Sequence, residues 1–63
     1  MSESQTLKEL LDKRYDDRGG YDGLVSIFSA EQPYEFKLEN VKLRYRVSRS
    51  TATDWYKRWR RGL

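Results

Sequence analysis

The hydrophobic pattern of this chain is helical, and its first repeat lies near the N-terminus. Three leucines are spaced i, i+3 and i+4: Leu7, Leu10 and Leu11. This spacing predicts a first helix over residues 4–15, with Ser4 as its N-cap. Acidic residues surround the narrow apolar stripe, so two roles stay open for it. The helix either covers the core with its other side in solvent, or pairs with a partner.

The second repeat predicts a helix over residues 21–31. Its apolar positions are again spaced by three and four residues: Leu24, Val25, Ile27 and Phe28. The glycine pair at positions 19 and 20 separates this helix from the first, and Asp22 is a candidate cap for its start. Pro33 closes it, because the residue before a proline is disfavoured in helical backbone.

The segment that follows, residues 34–37, alternates in polarity and is rich in aromatic residues. It is either a short strand or an extended lead into the next helix, with Phe36 and Leu38 filling the core. A third helix is expected over residues 38–46, because its apolar residues are spaced i, i+3 and i+7: Leu38, Val41 and Tyr45. Leu43 falls off this stripe, and we expect it to be partly exposed.

The clearest helix is the last, predicted over residues 49–61. Ser48 is its expected N-cap, and Gly62 is its expected C-terminal stop. At about 100° per residue, one face of this helix is apolar: Ala52, Trp55, Tyr56 and Trp59. The opposite face is polar near the start and basic further on: Ser50, Thr53, Asp54, Lys57 and Arg61. One face can therefore join the core while the other meets a ligand.

Together these patterns predict one small domain, all-α or mainly α, with three or four short helices. The expected core consists of Trp55, Trp59, Phe28, Ile27, Leu24 and Val41. A chain of 63 residues buries only about 60% of its unfolded surface, so its stability should be marginal. The chain has no Cys and no His, which removes disulfides, thiolate metal ligands and the usual general base. We therefore expect no metal, no cofactor and no enzymatic activity.

Charge is distributed unevenly along the chain. Residues 41–63 carry eight Lys or Arg against one acid, whereas residues 1–40 carry five bases and nine acids. Such a division indicates that the C-terminal part meets a polyanion. The last helix has the layout that suits the major groove of DNA. Short Ser, Thr and Asp side chains can bond base edges near its start, and later Lys and Arg side chains can reach phosphates.

Residues 38–59 resemble the helix-turn-helix of bacterial and archaeal transcription regulators, often built as winged helices. The resemblance is carried by Val47-Ser48-Arg49-Ser50-Thr51, an apolar residue followed by the opening of a recognition helix. Within the single small domain of residues 1–63, we expect an N-terminal helix and linker over residues 1–18 and the helix-turn-helix core over residues 21–63. The DNA-facing candidates that the resemblance implies, with the later basic residues of the helix, are Arg49, Ser50, Thr51, Thr53, Asp54, Lys57, Arg58 and Arg61.

Two positions depart from the family pattern. Lys42 stands where the pattern prefers a small residue, and Arg46 stands where it prefers glycine in the turn. We therefore expect a longer or altered turn instead of the tight three-residue one. Because residues 60–63 coincide with the place where a wing hairpin would start, we also expect the wing to be absent or truncated.

The expected function is sequence-specific binding of double-stranded DNA, as a small transcription regulator or a viral, plasmid or transposon protein. Two alternatives stay open: a protein-interaction adaptor on the same scaffold, or an RNA or single-strand binder in which Trp55 and Trp59 stack on bases. A weak homodimer through the leucine stripe of the first helix is expected, because one recognition helix offers few base contacts. The chain has no long apolar run and no signal-peptide pattern, so we expect a cytoplasmic protein.

Overall fold

The computed structural model describes residues 6–62, and these residues form an all-α domain with no strand. Four α-helices follow one another: α1 (Leu7–Arg14), α2 (Gly20–Ser29), α3 (Tyr34–Tyr45) and α4 (Arg49–Arg61). A 3₁₀ turn, Asp16–Arg18, lies between α1 and α2. The predicted fold class is therefore confirmed. None of the helices in residues 6–62 is long and apolar enough to cross a membrane.

Helix α1 begins at a capping box, three residues later than expected. The Glu9 backbone N–H donates to Thr6 Oγ1 at 3.1 Å, and the Thr6 backbone N–H donates to Glu9 Oε1 at 3.3 Å. The N-cap of α1 is therefore Thr6, and the Ser4 proposed for that role lies outside the described residues. One turn further on, Lys8 Nζ lies 2.7 Å from Asp12 Oδ2, in an exposed ion pair.

The start of α2 is capped from α1, and not by the expected Asp22. Gly19 stands at the N-cap position and offers no side chain. Instead, the Tyr21 backbone N–H donates to Asp12 Oδ1 at 3.1 Å, which satisfies one of the free N–H groups in the first turn. The Lys8 ammonium and this backbone bond together hold the pKa of the Asp12 carboxyl below its ordinary value.

The corner between α1 and α2 needs glycine. Gly19 has φ 120° and Gly20 has φ 59°, a backbone region that side chains with a Cβ disfavour. The corner is also tied to the end of α3, because the buried Tyr45 hydroxyl donates to the Gly20 carbonyl oxygen at 2.7 Å. A Cβ at Gly23 would lie 2.7 Å from that same hydroxyl, so this position also has no room for a side chain.

Helix α3 starts four residues earlier than expected. Residues 34–37 form its first turn, so the prediction of a strand or an extended segment there is wrong. The backbone N–H groups of Phe36 and Lys37 both donate to the Pro33 carbonyl, at 3.0 and 3.2 Å, so the helix follows directly from the proline. In helical backbone Phe36 points away from the core and is 62% exposed, whereas Leu38 is fully buried. Phe36 therefore does not fill the core.

The core is a set of aliphatic and aromatic side chains from all four helices: Leu7, Leu11, Leu24, Phe28, Leu38, Val41, Tyr45, Ala52 and Trp55. Ile27 and Trp59, expected in this core, pack against it but are only partly buried. Leu7 and Leu11 have no exposed surface. Helix α1 therefore covers the core with these two leucines, and of the stripe that the sequence suggested for pairing only Leu10 is partly exposed.

Candidate nucleic-acid interface

Helices α3 and α4 are joined by a tight turn of three residues, 46–48. Arg46 adopts left-handed helical backbone, with φ 57° and ψ 50°. Its N–H donates to the Lys42 carbonyl, and the N–H of Val47 donates to the same oxygen at 3.3 Å. The expectation of a longer or altered turn is therefore wrong. The arginine takes the conformation that glycine usually supplies, and the turn keeps its length.

This turn allows a direct test of backbone strain. Left-handed backbone costs a residue with a Cβ roughly 1–2 kcal/mol, and glycine avoids this cost. Part of the gain is offset because glycine loses more conformational entropy on folding. We expect Arg46→Gly to raise the free energy of unfolding by about 0.5–1 kcal/mol in urea denaturation. The matched control, Lys42→Gly in the helical part of α3, should lower it by about 1 kcal/mol. A destabilised Arg46→Gly variant would contradict the left-handed conformation of this residue.

Both ends of α4 are fixed by the residues that the sequence indicated. The Thr51 backbone N–H donates to the Ser48 side chain at 3.3 Å, so Ser48 is the N-cap. At the other end Gly62 has φ 79° and ψ 19°, and its N–H donates to the carbonyls of Arg58 and Trp59. The predicted bounds of this helix, 49–61, are confirmed.

The two faces of α4 separate as predicted. Ala52 and Trp55 are buried, while Tyr56 and Trp59 are partly buried against the core. On the opposite face, the exposed residues follow one another along the helix: Ser50, Asp54, Lys57 and Arg61. A shallow hollow runs over the first two turns of this face, lined by Arg49, Ser50, Thr53, Asp54 and Lys57. We name this surface the α4 outer face.

One candidate, Arg49, is tied to α3 by an acid that the sequence reasoning missed. Its guanidinium makes two contacts with the Glu35 carboxylate, at 2.8 and 3.0 Å, between two exposed side chains. The hydrogen bond and charge of Arg49 hold the pKa of the Glu35 carboxyl below its ordinary value. Arg49 thus forms a fixed edge of the α4 outer face, on the side of α3.

Five other candidates also have partners within α4 or its cap. The Ser50 hydroxyl lies 3.2 Å from that of Ser48. Asp54 Oδ2 lies 3.2 Å from Arg58 Nε, so acid and base largely offset each other's charge. The Thr53 hydroxyl donates to the Arg49 carbonyl at 2.9 Å, which leaves its oxygen free only as an acceptor. Thr51 is half-buried, and its hydroxyl lies 3.2 Å from that of Ser48.

The structure therefore brings most of the candidates together on the α4 outer face, and places Thr51 and Arg58 on its flank, away from Arg49. Their spacing of seven residues puts these two on the same side of the helix. The two basic side chains in the later turns of the α4 outer face, Lys57 and Arg61, make no ion pair within residues 6–62. No protein family, curated protein or solved structure was found to match the chain.

Proposed function

We propose that this protein binds double-stranded DNA in a sequence-dependent manner by placing the α4 outer face in the major groove. The observation that carries the proposal is the division of α4 between its two faces. Trp55, only 3% exposed, anchors the helix in the core, while the residues from Ser50 to Arg61 on the far side stand in solvent. The role that fits such a module is that of a small transcription regulator or a viral, plasmid or transposon protein.

The order of side chains along the outer face fits the groove. A major groove about 12 Å wide admits one α-helix, whose N-terminal residues approach the base edges. Ser50 and the acceptor oxygen of Thr53 occupy this position, with the short reach that base edges need. Lys57 and Arg61 follow one and two turns later, where long basic side chains can contact phosphates on the groove wall.

In the proposed interface, Glu35 makes the contact of Arg49 with DNA depend on how the duplex is positioned. An acid beside the first turn of α4 repels phosphates and holds the Arg49 guanidinium in place. Arg49 would then contact a base edge or phosphate only where the duplex brings it into the right position. Non-specific attraction to the phosphates would come mainly from the basic side chains further along α4, Lys57 and Arg61.

Base stacking receives little support from the core. Trp55 packs edge-on against Tyr15 and Tyr45, with ring centroids 5.3 and 5.6 Å away, and has almost no exposed surface. It offers no platform to a single-stranded base. Trp59, the other tryptophan considered for stacking, is partly buried and packs against Phe28, with ring centroids 5.4 Å apart. We therefore favour duplex DNA over a single strand. A protein-interaction adaptor stays the alternative, and the salt dependence of binding distinguishes it from a DNA-binding protein.

Two pairs of variants test the proposal, after a preferred site has been selected from a random duplex pool. We expect Lys57→Gln and Arg61→Gln each to weaken binding to all duplexes and to lower the salt slope by about 1. We expect Ser50→Ala and Thr53→Val to relax the preference for the selected site by about 1–3 kcal/mol per lost base contact. Fluorescence anisotropy over a range of salt concentrations measures both effects.

Lys13→Gln is the matched control, because it removes one exposed basic side chain from α1, a helix that carries none of the candidate residues. It should change neither the slope nor the preference. Equal effects of Lys13→Gln and Lys57→Gln would refute a specific role of the α4 outer face. Binding that is insensitive to salt, or no duplex binding at all, would favour the adaptor.

A further inference from the structure

An apolar stripe runs along the side of α3 that faces away from the core. Phe36 is 62% exposed and Leu43 is 70% exposed, and the exposed Asn40 lies between them. The three residues are spaced i, i+4 and i+7, so they lie on one line along the helix. We name them the α3 stripe. Two large apolar side chains on one line, exposed to this extent, offer a surface on which another helix can pack.

The two charged residues that stand next to the centre of the α3 stripe, Glu39 and Arg44, differ in sign, while Lys42 and Arg46 lie further round on the side of Glu39. Glu39 lies on the flank next to α4, where its carboxylate is 3.5 Å from Lys42 Nζ. Arg44 lies on the flank next to α2, where its Nε donates to the Arg18 carbonyl at 2.8 Å. Glu39 and Arg44 are five residues apart and enclose Asn40 and Leu43. In a heptad with Phe36 and Leu43 at d and Asn40 at a, they occupy g and e.

We propose that the α3 stripe pairs with the α3 stripe of a second copy of this chain, with the two α3 helices parallel. In a parallel two-fold pair, unlike flanks meet, so that each Glu39 faces Arg44 of the other copy. In an antiparallel pair like flanks would meet, and Arg44 would face Arg44. Charge complementarity therefore selects a second copy in the parallel orientation, and the polar Asn40 at the a position fixes the register.

The surface beside the stripe can receive a side chain of the second copy. Ile27, Asn40, Leu43 and Arg44 line a shallow hollow there. The bond from Arg44 Nε to Arg18 fixes the stem of this side chain, while its terminal nitrogens stay available as donors. Because the contact would involve one helix of 12 residues from each copy, and stable interfaces bury about 1,200–2,000 Å², we expect a weak dimer.

The parallel arrangement places the two α3–α4 turns at the same end of the dimer. Both α4 helices then begin at that end, and the two-fold axis of the pair relates them as it would relate the two half-sites of a palindromic duplex. This consequence rests on the proposed function, whereas the pairing itself does not. The experiments therefore use the full chain without DNA, so that a failure of DNA binding leaves their outcome unchanged.

Sedimentation equilibrium up to millimolar concentration tests the pairing. We expect a reversible dimer. Leu43→Lys should lower its association constant at least about tenfold, because the variant has no apolar side chain to bury at this position of the contact. Ser26→Lys, the same charge change on the exposed side of α2, should leave association as in the native chain. Circular dichroism confirms that both variants stay folded. A native chain that is monomeric throughout, or equal loss with Ser26→Lys, would overturn the proposal.

Charge exchange and cross-linking test the parallel orientation. Glu39→Lys and Arg44→Glu should each weaken association alone, and an equal mixture of the two should restore it. Since the chain contains no cysteine, Leu43→Cys introduces a single thiol. In a parallel pair it forms a symmetric disulfide under mild oxidation, faster than Ser26→Cys. A disulfide that forms only when Leu43→Cys is mixed with Phe36→Cys would show an antiparallel pair and overturn the orientation.

Discussion

Replacing Trp55 with alanine is expected to leave the domain largely unfolded at room temperature. The indole is 3% exposed and contacts the rings of Tyr15 and Tyr45 edge-on. Removing a core aromatic of this size costs about 3–5 kcal/mol. At about 0.05–0.15 kcal/mol per residue, a domain of 63 residues has a total stability of roughly 3–9 kcal/mol. Far-UV circular dichroism and thermal denaturation measure the loss.

The matched control for this substitution is Phe36→Ala. It removes another aromatic side chain, but one that is 62% exposed, and alanine favours the helix. At concentrations below those of dimer formation this variant should unfold at nearly the native temperature. A Trp55→Ala protein as stable as Phe36→Ala would show that the indole is not part of the core, and would return Trp55 to the candidates for base stacking.

Leu11→Glu is expected to have an effect of similar size through a different cause. Leu11 is fully buried beneath α1, so a glutamate there must either bury a charge or take up a proton and fill an apolar site. Either outcome costs several kcal/mol, which the small core cannot offset. At neutral pH, the far-UV circular dichroism spectrum of this variant should be that of an unfolded chain.

Leu10→Glu provides the comparison, because Leu10 is only partly buried and its glutamate can reach solvent. This variant should stay folded with a smaller loss of stability. A folded Leu11→Glu protein that has lost self-association would instead restore the first helix as the pairing surface, against its burial in the structure.

Helix α4 could be predicted from the sequence because all its signals are local. The Ser48 cap, the Gly62 stop and the separation of its faces lie within the helix or next to it. Helix α1 also carried a local signal, since Thr6 precedes Glu9 by three residues, the spacing of a capping box. Three residues after Ser4 stands Leu7, so the capping-box spacing distinguishes Thr6 from Ser4 as the N-cap.

The remaining differences depend on contacts between helices. The cap of α2 comes from Asp12, nine residues before the N–H that it accepts, and no local pattern indicates that pairing. The Glu35–Arg49 pair was hidden for a further reason. It requires α3 to begin at Tyr34, whereas the alternating polarity around Phe36 favoured extended backbone. Once that segment is helical, Glu35 lies in the first turn of α3, beside α4.

The hydrogen bond from the Tyr45 hydroxyl to the Gly20 carbonyl has a consequence for how the molecule opens. It joins the corner before α2 to the last residue before the α3–α4 turn, 25 positions along the chain. The α1–α2 pair cannot move away from α3 without breaking this bond and exchanging it for bonds to water, at a net cost of about 0.5–1.5 kcal/mol. Local opening that separates the start of α2 from the end of α3 is therefore disfavoured. Because Tyr45 is the last residue before the turn of residues 46–48, the same bond also fixes the end of α3 from which the basic helix α4 starts.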